Sequence, residues 1–249
     1  RLKMLLKDKT AVITGCNRGI GLSILEIFSK NGANIVACVR KKNDNFSKHV
    51  SQISKKYSNK INIVAFDLEN EKDIEDGFLK IKEITNQINI LVNNAGINQM
   101  SLFQMTPLKV FRSVFEINFF SVINLTQKLL KIISKNNNSK IINISSNAAK
   151  LSDAGRSAYA PSKSALISFT EVLSKELGNF NISVNAIAPG LVKTDMMKNT
   201  PQKVLDEALK NTPLKRAAET EDIAKIALFL ASDESNHISR ETLFVTGGI

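Results

Sequence analysis

Tyr159 and Lys163 stand four residues apart in Tyr159-Ala160-Pro161-Ser162-Lys163, an interval that puts a phenol and an ammonium on one face of a helix. A free tyrosine titrates near ~10 and exchanges protons poorly at neutral pH; a neighbouring ammonium stabilises the phenolate and draws the pKa toward a useful range. Many helices carry such a pair by chance, so its company decides. Ser146 precedes Tyr159 by 13 residues and ends the apolar run Ile141-Ile142-Asn143-Ile144-Ser145, where a loop leaving a sheet edge reaches the same crevice. Alternation along that run turns Ser145 away and leaves Ser146 as the hydroxyl facing that crevice.

A second constellation lies near the start. Thr14-Gly15-Cys16-Asn17-Arg18-Gly19-Ile20-Gly21 follows a short apolar run and precedes a helical pattern. Glycines at this spacing let the backbone turn tightly and approach a ligand, while the next helix offers free N–H groups and its positive dipole end to a pyrophosphate. Three glycines near a strand end can also be only a turn, but strand, turn and helix at the head of a βαβ unit favour the dinucleotide site.

These groups need a frame. Short Ile/Val-rich runs alternate with longer amphipathic stretches, the pattern of βαβ units and a mainly parallel sheet. Strands are predicted near Thr10-Thr14, Asn34-Val39, Asn62-Phe66, Ile88-Val92, Lys140-Ser145, Ser183-Ile187 and Thr242-Val245. The first helix follows Gly19, with Ile20, Ile24, Ile27 and Phe28 at helical spacing before Asn31-Gly32 stops it. Another is predicted with Thr106 as N-cap and Pro107 at its first position, running through Phe111, Phe115 and Phe119 toward Ile133. That Phe stripe suits core or a subunit interface. The fold class is therefore α/β: a single doubly wound Rossmann-type domain over residues 1–249, with a seven-stranded mainly parallel sheet and helices on both faces. Residues 1–6 are expected to form a flexible N-terminus.

Composition narrows the function. The chain has 249 residues and 43% hydrophobic content, enough for a substantial core. No apolar run approaches the roughly 20 residues of a membrane-spanning helix, and the opening residues are too few and too charged for a secretory leader, so a cytoplasmic protein without membrane association is expected. Cys16 and Cys38 follow no zinc spacing and are read as free thiols. With two histidines, His49 and His237, a metal site and a Ser-His-Asp triad are disfavoured. The net charge of +11 fits an acidic partner or a merely Lys-rich composition. Lysines scattered along the chain, no Trp and no basic-aromatic interleaving give no case for nucleic acid.

The Thr-Gly-x-x-x-Gly-x-Gly spacing, Asn93-Asn94-Ala95-Gly96, Asn118, Ser146, Tyr159/Lys163 and Pro189-Gly190-Leu191-Val192-Lys193-Thr194 occur in one order, and together they resemble the short-chain dehydrogenase/reductase family from about Lys7 to the end. The resemblance implies a nicotinamide cofactor held by Gly15, Asn17, Arg18, Gly19, Ile20, Gly21, Arg40, Asp67, Leu68, Asn94, Ala95, Gly96, Tyr159, Lys163, Pro189, Gly190, Val192 and Thr194. It implies a catalytic set of Asn118, Ser146, Tyr159 and Lys163, with Asn118 holding a water that relays protons from Lys163. Asp67 matches the adenine-contacting residue, though an Asp at a strand end also serves as a turn cap. The second strand ends Val39-Arg40-Lys41-Lys42 with no acidic residue for a ribose 2′-hydroxyl; Arg40, joined by Arg18, suits a 2′-phosphate, so NADPH/NADP is predicted over NAD.

Within the family the sequence most resembles bacterial 3-oxoacyl-[acyl-carrier-protein] reductases. The implied activity is an NADPH-dependent reduction of a carbonyl with Tyr159 as proton donor, on a substrate possibly borne by acyl carrier protein, in a homo-oligomer (tetramer or dimer). The alternatives are a reductase of another small carbonyl or sugar, and a non-catalytic NADP-binding regulatory protein. Residues 195–213 match a substrate lid, whose Met and Leu side chains suit an acyl pocket or ordinary packing. Two departures stand out: Ser239-Arg240 replaces the usual Thr-Gly before the last strand, and Asn137 and Phe180 occupy positions that often carry basic residues for the carrier protein.

Overall fold

Along β1 (Thr10–Thr14), Ala11 and Ile13 enter one apolar cluster while Val12 enters another; along β2 (Asn34–Val39), Ile35, Ala37 and Val39 face the first and Val36 and Cys38 the second. Strands that are apolar on both faces must be covered on both, which is why this sheet is internal and parallel. The computed structural model describes residues 4–135, 138–198 and 202–249. The remaining strands are β3 (Ile61–Ala65), β4 (Ile90–Asn93), β5 (Ser139–Ile144), β6 (Ile182–Pro189) and β7 (Thr242–Val245). They form one seven-stranded sheet in the order β3-β2-β1-β4-β5-β6-β7, every neighbouring pair parallel.

The helices are α1 (Gly19–Lys30), α2 (Asp44–Tyr57), α3 (Glu71–Ile84), α4 (Leu108–Phe115), α5 (Ser121–Ile133), α6 (Ala148–Leu151), α7 (Tyr159–Leu177), α8 (Asp195–Lys198), α9 (Gln202–Asn211) and α10 (Thr220–Ala231). Ile24, Leu25 and Phe28 of α1 and Ile223, Ala227 and Leu230 of α10 cover one face. Ile74 and Ile81 of α3, Leu125, Leu129 and Ile132 of α5 and Leu173 and Leu177 of α7 cover the other. Strand order reverses between β1 and β4, and the crevice at such a switch point, outside the carboxyl ends of the strands, is where doubly wound sheets bind ligands.

Three expectations change. Of residues 1–6, 1–3 lie outside the described residues, while Leu6 is wholly buried in the α1 cluster and its amide donates to the Asn31 carbonyl at 3.0 Å; Leu6 is thus pinned by apolar burial instead of flexible, and Met4 is exposed. The helix expected from Thr106 begins at Leu108. Pro107 has ψ 148° and serves as the N-cap, and the Thr106 hydroxyl is instead engaged by Ser101, Gln99 and the Leu102 carbonyl. Nor does that helix run unbroken to Ile133: Glu116–Phe120 form a π-helical turn between α4 and α5, a distortion that often marks functional positions. Phe111, Phe115 and Phe119 of the Phe stripe are partly buried, and Phe119 meets Phe169 edge-on with ring centroids 6.1 Å apart. Among the described residues no helix is long and apolar enough to cross a membrane.

Candidate active site

The carboxyl ends of β1, β4, β5 and β6 bring the glycine turn, Asn93–Gly96, Ser146 and the segment from Pro189 to one edge of the sheet. The Thr14 hydroxyl, closing β1, accepts from the amides of Asn94 and Ala95, each at 3.0 Å. Asn94 returns the contact, its side-chain amide donating to the Thr14 carbonyl at 2.9 Å and the Gly15 carbonyl at 3.1 Å. Asn94 therefore steadies the glycine turn. Thr14 was not among the residues proposed from sequence, although its place at the head of the glycine motif was the available signal. Gly15 has φ +66°, and a Cβ there would lie 2.8 Å from the Ala95 Cα; a Cβ on Gly21 would lie 2.4 Å from the Gly15 carbonyl oxygen. The turn closes only with glycine at both positions. What remains is a backbone cradle at the start of α1, whose N-cap Arg18 adds no side-chain hydrogen bond. This open cradle fits a dinucleotide pyrophosphate.

The other proposed cofactor residues surround it. Arg40 follows β2 and is exposed, as are Asn17 and Arg18. Asp67 follows β3, and its carboxylate accepts from the Glu69 amide at 3.0 Å, a turn cap; Leu68 beside it packs on the second apolar cluster. Ile20 packs on the first. Pro189, which closes β6, is buried, and a Cβ on Gly190 just beyond it would lie 3.0 Å from the Thr246 Cα. Leu191 and Lys193 pair through their backbones with Ala218, so the alternating N–H of Val192 points away from that pairing, its side chain in the core. Thr194 reaches Gly19: its Cγ2 lies 3.4 Å from where a Cβ would stand. The segment after β6 thus meets the glycine turn across one groove, lined also by Asp195, Met197 and Thr220. Of the expected lid, residues 199–201 lie outside the described residues; α8 and α9 account for most of the rest.

The proton-transfer groups come from β5, α7 and the π-turn. Tyr159 opens α7 and Lys163 lies one turn on, both buried. The Lys163 ammonium donates to the Ile144 carbonyl, the last of β5, at 2.9 Å, and burial lowers its pKa to about 8. Burial likewise pushes the Tyr159 phenol up, opposed by a hydrogen bond with Ser146 and by the charge of Arg156. Arg156 also acts on Tyr159, its guanidinium 5.8 Å from the ring centroid, while the Lys163 side chain is held at Ile144. Ser145 donates to the Lys163 carbonyl at 2.9 Å, turned away from Ser146 as strand alternation predicts.

Asn118 is wholly buried in the π-turn. Its Oδ1 accepts from the Ile97 amide at 2.8 Å, while Nδ2 donates to the Ile97 carbonyl at 2.9 Å and to Ser162 Oγ at 3.1 Å. Both polar atoms are thus engaged by protein, and the side chain clamps the strand leaving β4 onto α7. Gly96 sits between: a Cβ there would lie 3.1 Å from Asn118 Oδ1 and 3.3 Å from Lys163 Nζ. Its missing side chain is what lets Asn118 and Lys163 approach one another. Below them Asn93 donates to Asn143 at 2.9 Å and Asn143 to Thr170 at 2.9 Å, tying β4, β5 and α7 together. Gln99 also escaped the sequence reading. Buried, it accepts from the Ala158 amide at 3.1 Å and so caps from a distance the helix that begins with Tyr159, which has no side-chain cap of its own.

Comparison with known proteins agrees with this fold. The family model described as "Enoyl-(Acyl carrier protein) reductase" matches residues 15–249. The chain is 35% identical to the 3-oxoacyl-[acyl-carrier-protein] reductase FabG of Chlamydia muridarum over the whole of both chains. It is 34% identical to a 3alpha-hydroxysteroid dehydrogenase of Mediterraneibacter gnavus, covering 98% of each. Among solved structures, a 7 alpha-hydroxysteroid dehydrogenase complexed with NADH and 7-oxo glycochenodeoxycholic acid superposes with a TM-score of 0.92 at 32% identity, covering 99% of this chain and 96% of that one.

Proposed function

The chain belongs to the short-chain dehydrogenase/reductase family, an oxidoreductase acting on a CH–OH/C=O pair, and from that premise we propose that it is an NADPH-dependent 3-oxoacyl-[acyl-carrier-protein] reductase of fatty acid synthesis, cytoplasmic and homo-oligomeric. The observation that carries the chemistry is the Ser146 hydroxyl acting on a buried Tyr159, whose phenol pKa it helps to lower, at the sheet edge that also bears the glycine cradle. When bound, the reduced nicotinamide supplies the hydride.

The chain's own residues do the rest. Ser146 and Tyr159 together address the carbonyl oxygen, and Tyr159 hands it the phenolic proton as negative charge develops. The resulting phenolate is supported by the Ser146 hydrogen bond and the Arg156 charge. Lys163, with a pKa of about 8, changes protonation near physiological pH and serves to return a proton to Tyr159 as well as to hold the nicotinamide ribose. Asn118 fixes Ile97 and α7 and holds the relay water. Gly15, Gly19 and Gly21 receive the pyrophosphate, Arg18 and Arg40 the 2′-phosphate, Asp67 and Leu68 the adenine, and Pro189, Val192 and Thr194 the carboxamide. Residues 195–213 close over the substrate.

NADPH and NADH oxidation against 3-oxoacyl thioesters, free and carrier-bound, diketones, keto-sugars and an oxo-steroid tests this reading. Selective turnover of the thioesters with NADPH is expected. Selective turnover of keto-sugar or steroid overturns the substrate assignment, and the 34% identity to a hydroxysteroid dehydrogenase makes the steroid the discriminating competitor. Equal rates with both cofactors overturn the roles given to Arg18 and Arg40. Cofactor binding without any turnover favours a regulatory protein.

A further inference from the structure

The residues just ahead of Tyr159 are held with more care than a surface turn requires. The Gly155 carbonyl accepts from the Ser101 amide at 3.0 Å, and two residues beyond Arg156 the Ala158 amide donates to Gln99 at 3.1 Å. The Arg156 carbonyl itself accepts from the Ala160 amide at 2.9 Å. Arg156 is thus fixed between two anchors supplied by the 99–101 segment, with its guanidinium over the Tyr159 ring at 5.8 Å. It is half-buried, and among the described residues no carboxylate lies within ion-pair distance of it. An arginine kept part-way out of water beside a proton donor, with its planar fork of donors uncommitted, is a preformed binder for a second oxygen.

We propose that Arg156 donates to the second carbonyl oxygen of a 1,3-dicarbonyl substrate while Tyr159 and Ser146 hold the first. In such a substrate one methylene separates the two carbonyl carbons, and in the folded conformer their oxygens lie about one hydrogen-bond length, ~3 Å, apart. One guanidinium beside the phenol therefore addresses the second oxygen when the phenol addresses the first. A monoketone leaves that fork without a partner, and sites built to hydrogen-bond a substrate group discriminate strongly against analogues that lack it. This deepens the carbonyl-reductase reading and rests on it.

The test compares pentane-2,4-dione with pentan-2-one, which differ by one carbonyl, together with the neutral thioester S-acetoacetyl-N-acetylcysteamine. Wild type is expected to prefer the dione over the monoketone. In Arg156→Met the ratio of kcat/KM for dione over monoketone should fall roughly tenfold to a hundredfold, the effect of losing a charge-assisted hydrogen bond. Arg156→Lys should recover part of it. Binding of the dione and the thioester to enzyme carrying oxidised cofactor, where no turnover occurs, should weaken in parallel. If Arg156→Met fails to fold, the same ratio is read from Arg156→Lys and Arg156→Gln. A variant that loses rate equally on both ketones overturns the inference, because Arg156 would then act only through Tyr159; so does a wild type with no preference for the dione. A wild type that reduces the dione selectively but refuses the thioester overturns the acyl-thioester assignment alone and leaves the role of Arg156 standing.

Discussion

Replacing Lys163 by Met should make the protein more stable at neutral pH while removing its activity. Burial lowers the ammonium from its ordinary 10.5 to about 8. That drop corresponds to about 3 kcal/mol of destabilisation when the group is charged. The sign follows from the proton count: between pH 8 and 10.5 the unfolded chain binds more protons than the folded one, so stability rises with pH across that window and the full penalty is present below it. Methionine fills a similar volume without charge but orphans the Ile144 carbonyl, which now accepts from Nζ at 2.9 Å and whose loss costs about 1–2 kcal/mol. The net expectation for Lys163→Met is a gain of about 1–2 kcal/mol at pH 7 that disappears or reverses by pH 10.5. Urea unfolding of cofactor-free wild type and variant at one protein concentration, at pH 7 and pH 10.5, measures it through the midpoint at constant m. A variant less stable than wild type at pH 7, with the same gap at pH 10.5, would refute the claim that Lys163 is a buried charge held against its desolvation cost.

Tyr159→Phe should reduce kcat by at least about a hundredfold, the scale of a lost general acid, while NADPH binding followed by fluorescence titration persists; substantial remaining turnover would rule out Tyr159 as the donor. Gly21→Ala places a methyl 2.4 Å from the Gly15 carbonyl oxygen and 2.5 Å from the Asn94 amide, so cofactor affinity should fall at least about tenfold, since the cradle cannot close around the intruding carbon; unchanged affinity by titration would show that the turn is not the phosphate site. Arg240 occupies the left-handed region at φ +73° while its amide donates to the Val184 carbonyl at 2.8 Å. Arg240→Gly should therefore raise stability by roughly 1 kcal/mol by relieving that strain, visible as a higher melting temperature and contradicted by a lower one.

Arg240 also shows how far a departure in sequence can be from a departure in structure. The Ser239-Arg240 pair replaces Thr-Gly, yet the backbone keeps the conformation that glycine would take freely, with Ser239 Oγ accepting from the Val184 amide at 3.2 Å. The anchors at Val184 hold an arginine where its own preference would not.

The seven strands were legible because apolar runs of this length have few other uses, and strand ends fell within two residues of expectation. The Thr10–Thr14, Asn34–Val39 and Thr242–Val245 strands need no adjustment at all. The helix from Leu108 to Ile133 was legible as a periodic stripe, but its π-turn was not. One extra residue in a turn leaves the apolar pattern almost unchanged while it rotates Asn118 inward.

The chemistry divides the same way. Residue types and order alone led to the expectation that a glycine turn, a Ser, a Tyr and a Lys belong to one site, and a parallel sheet carries the strand ends bearing the glycine turn and Ser146 to the same edge. That Arg156 stands over the Tyr159 ring was decided only by tertiary structure. Sequence spacing places Lys163 one helical turn from Tyr159, but the carbonyl of Ile144, 19 residues away, captures its ammonium. Arg156, three residues before Tyr159, is brought over the ring by Gln99 and Ser101 from the neighbouring strand's loop. Spacing fixes where a side chain starts; the partners that compete for its charge come from elsewhere in the chain and exist only once the sheet has formed.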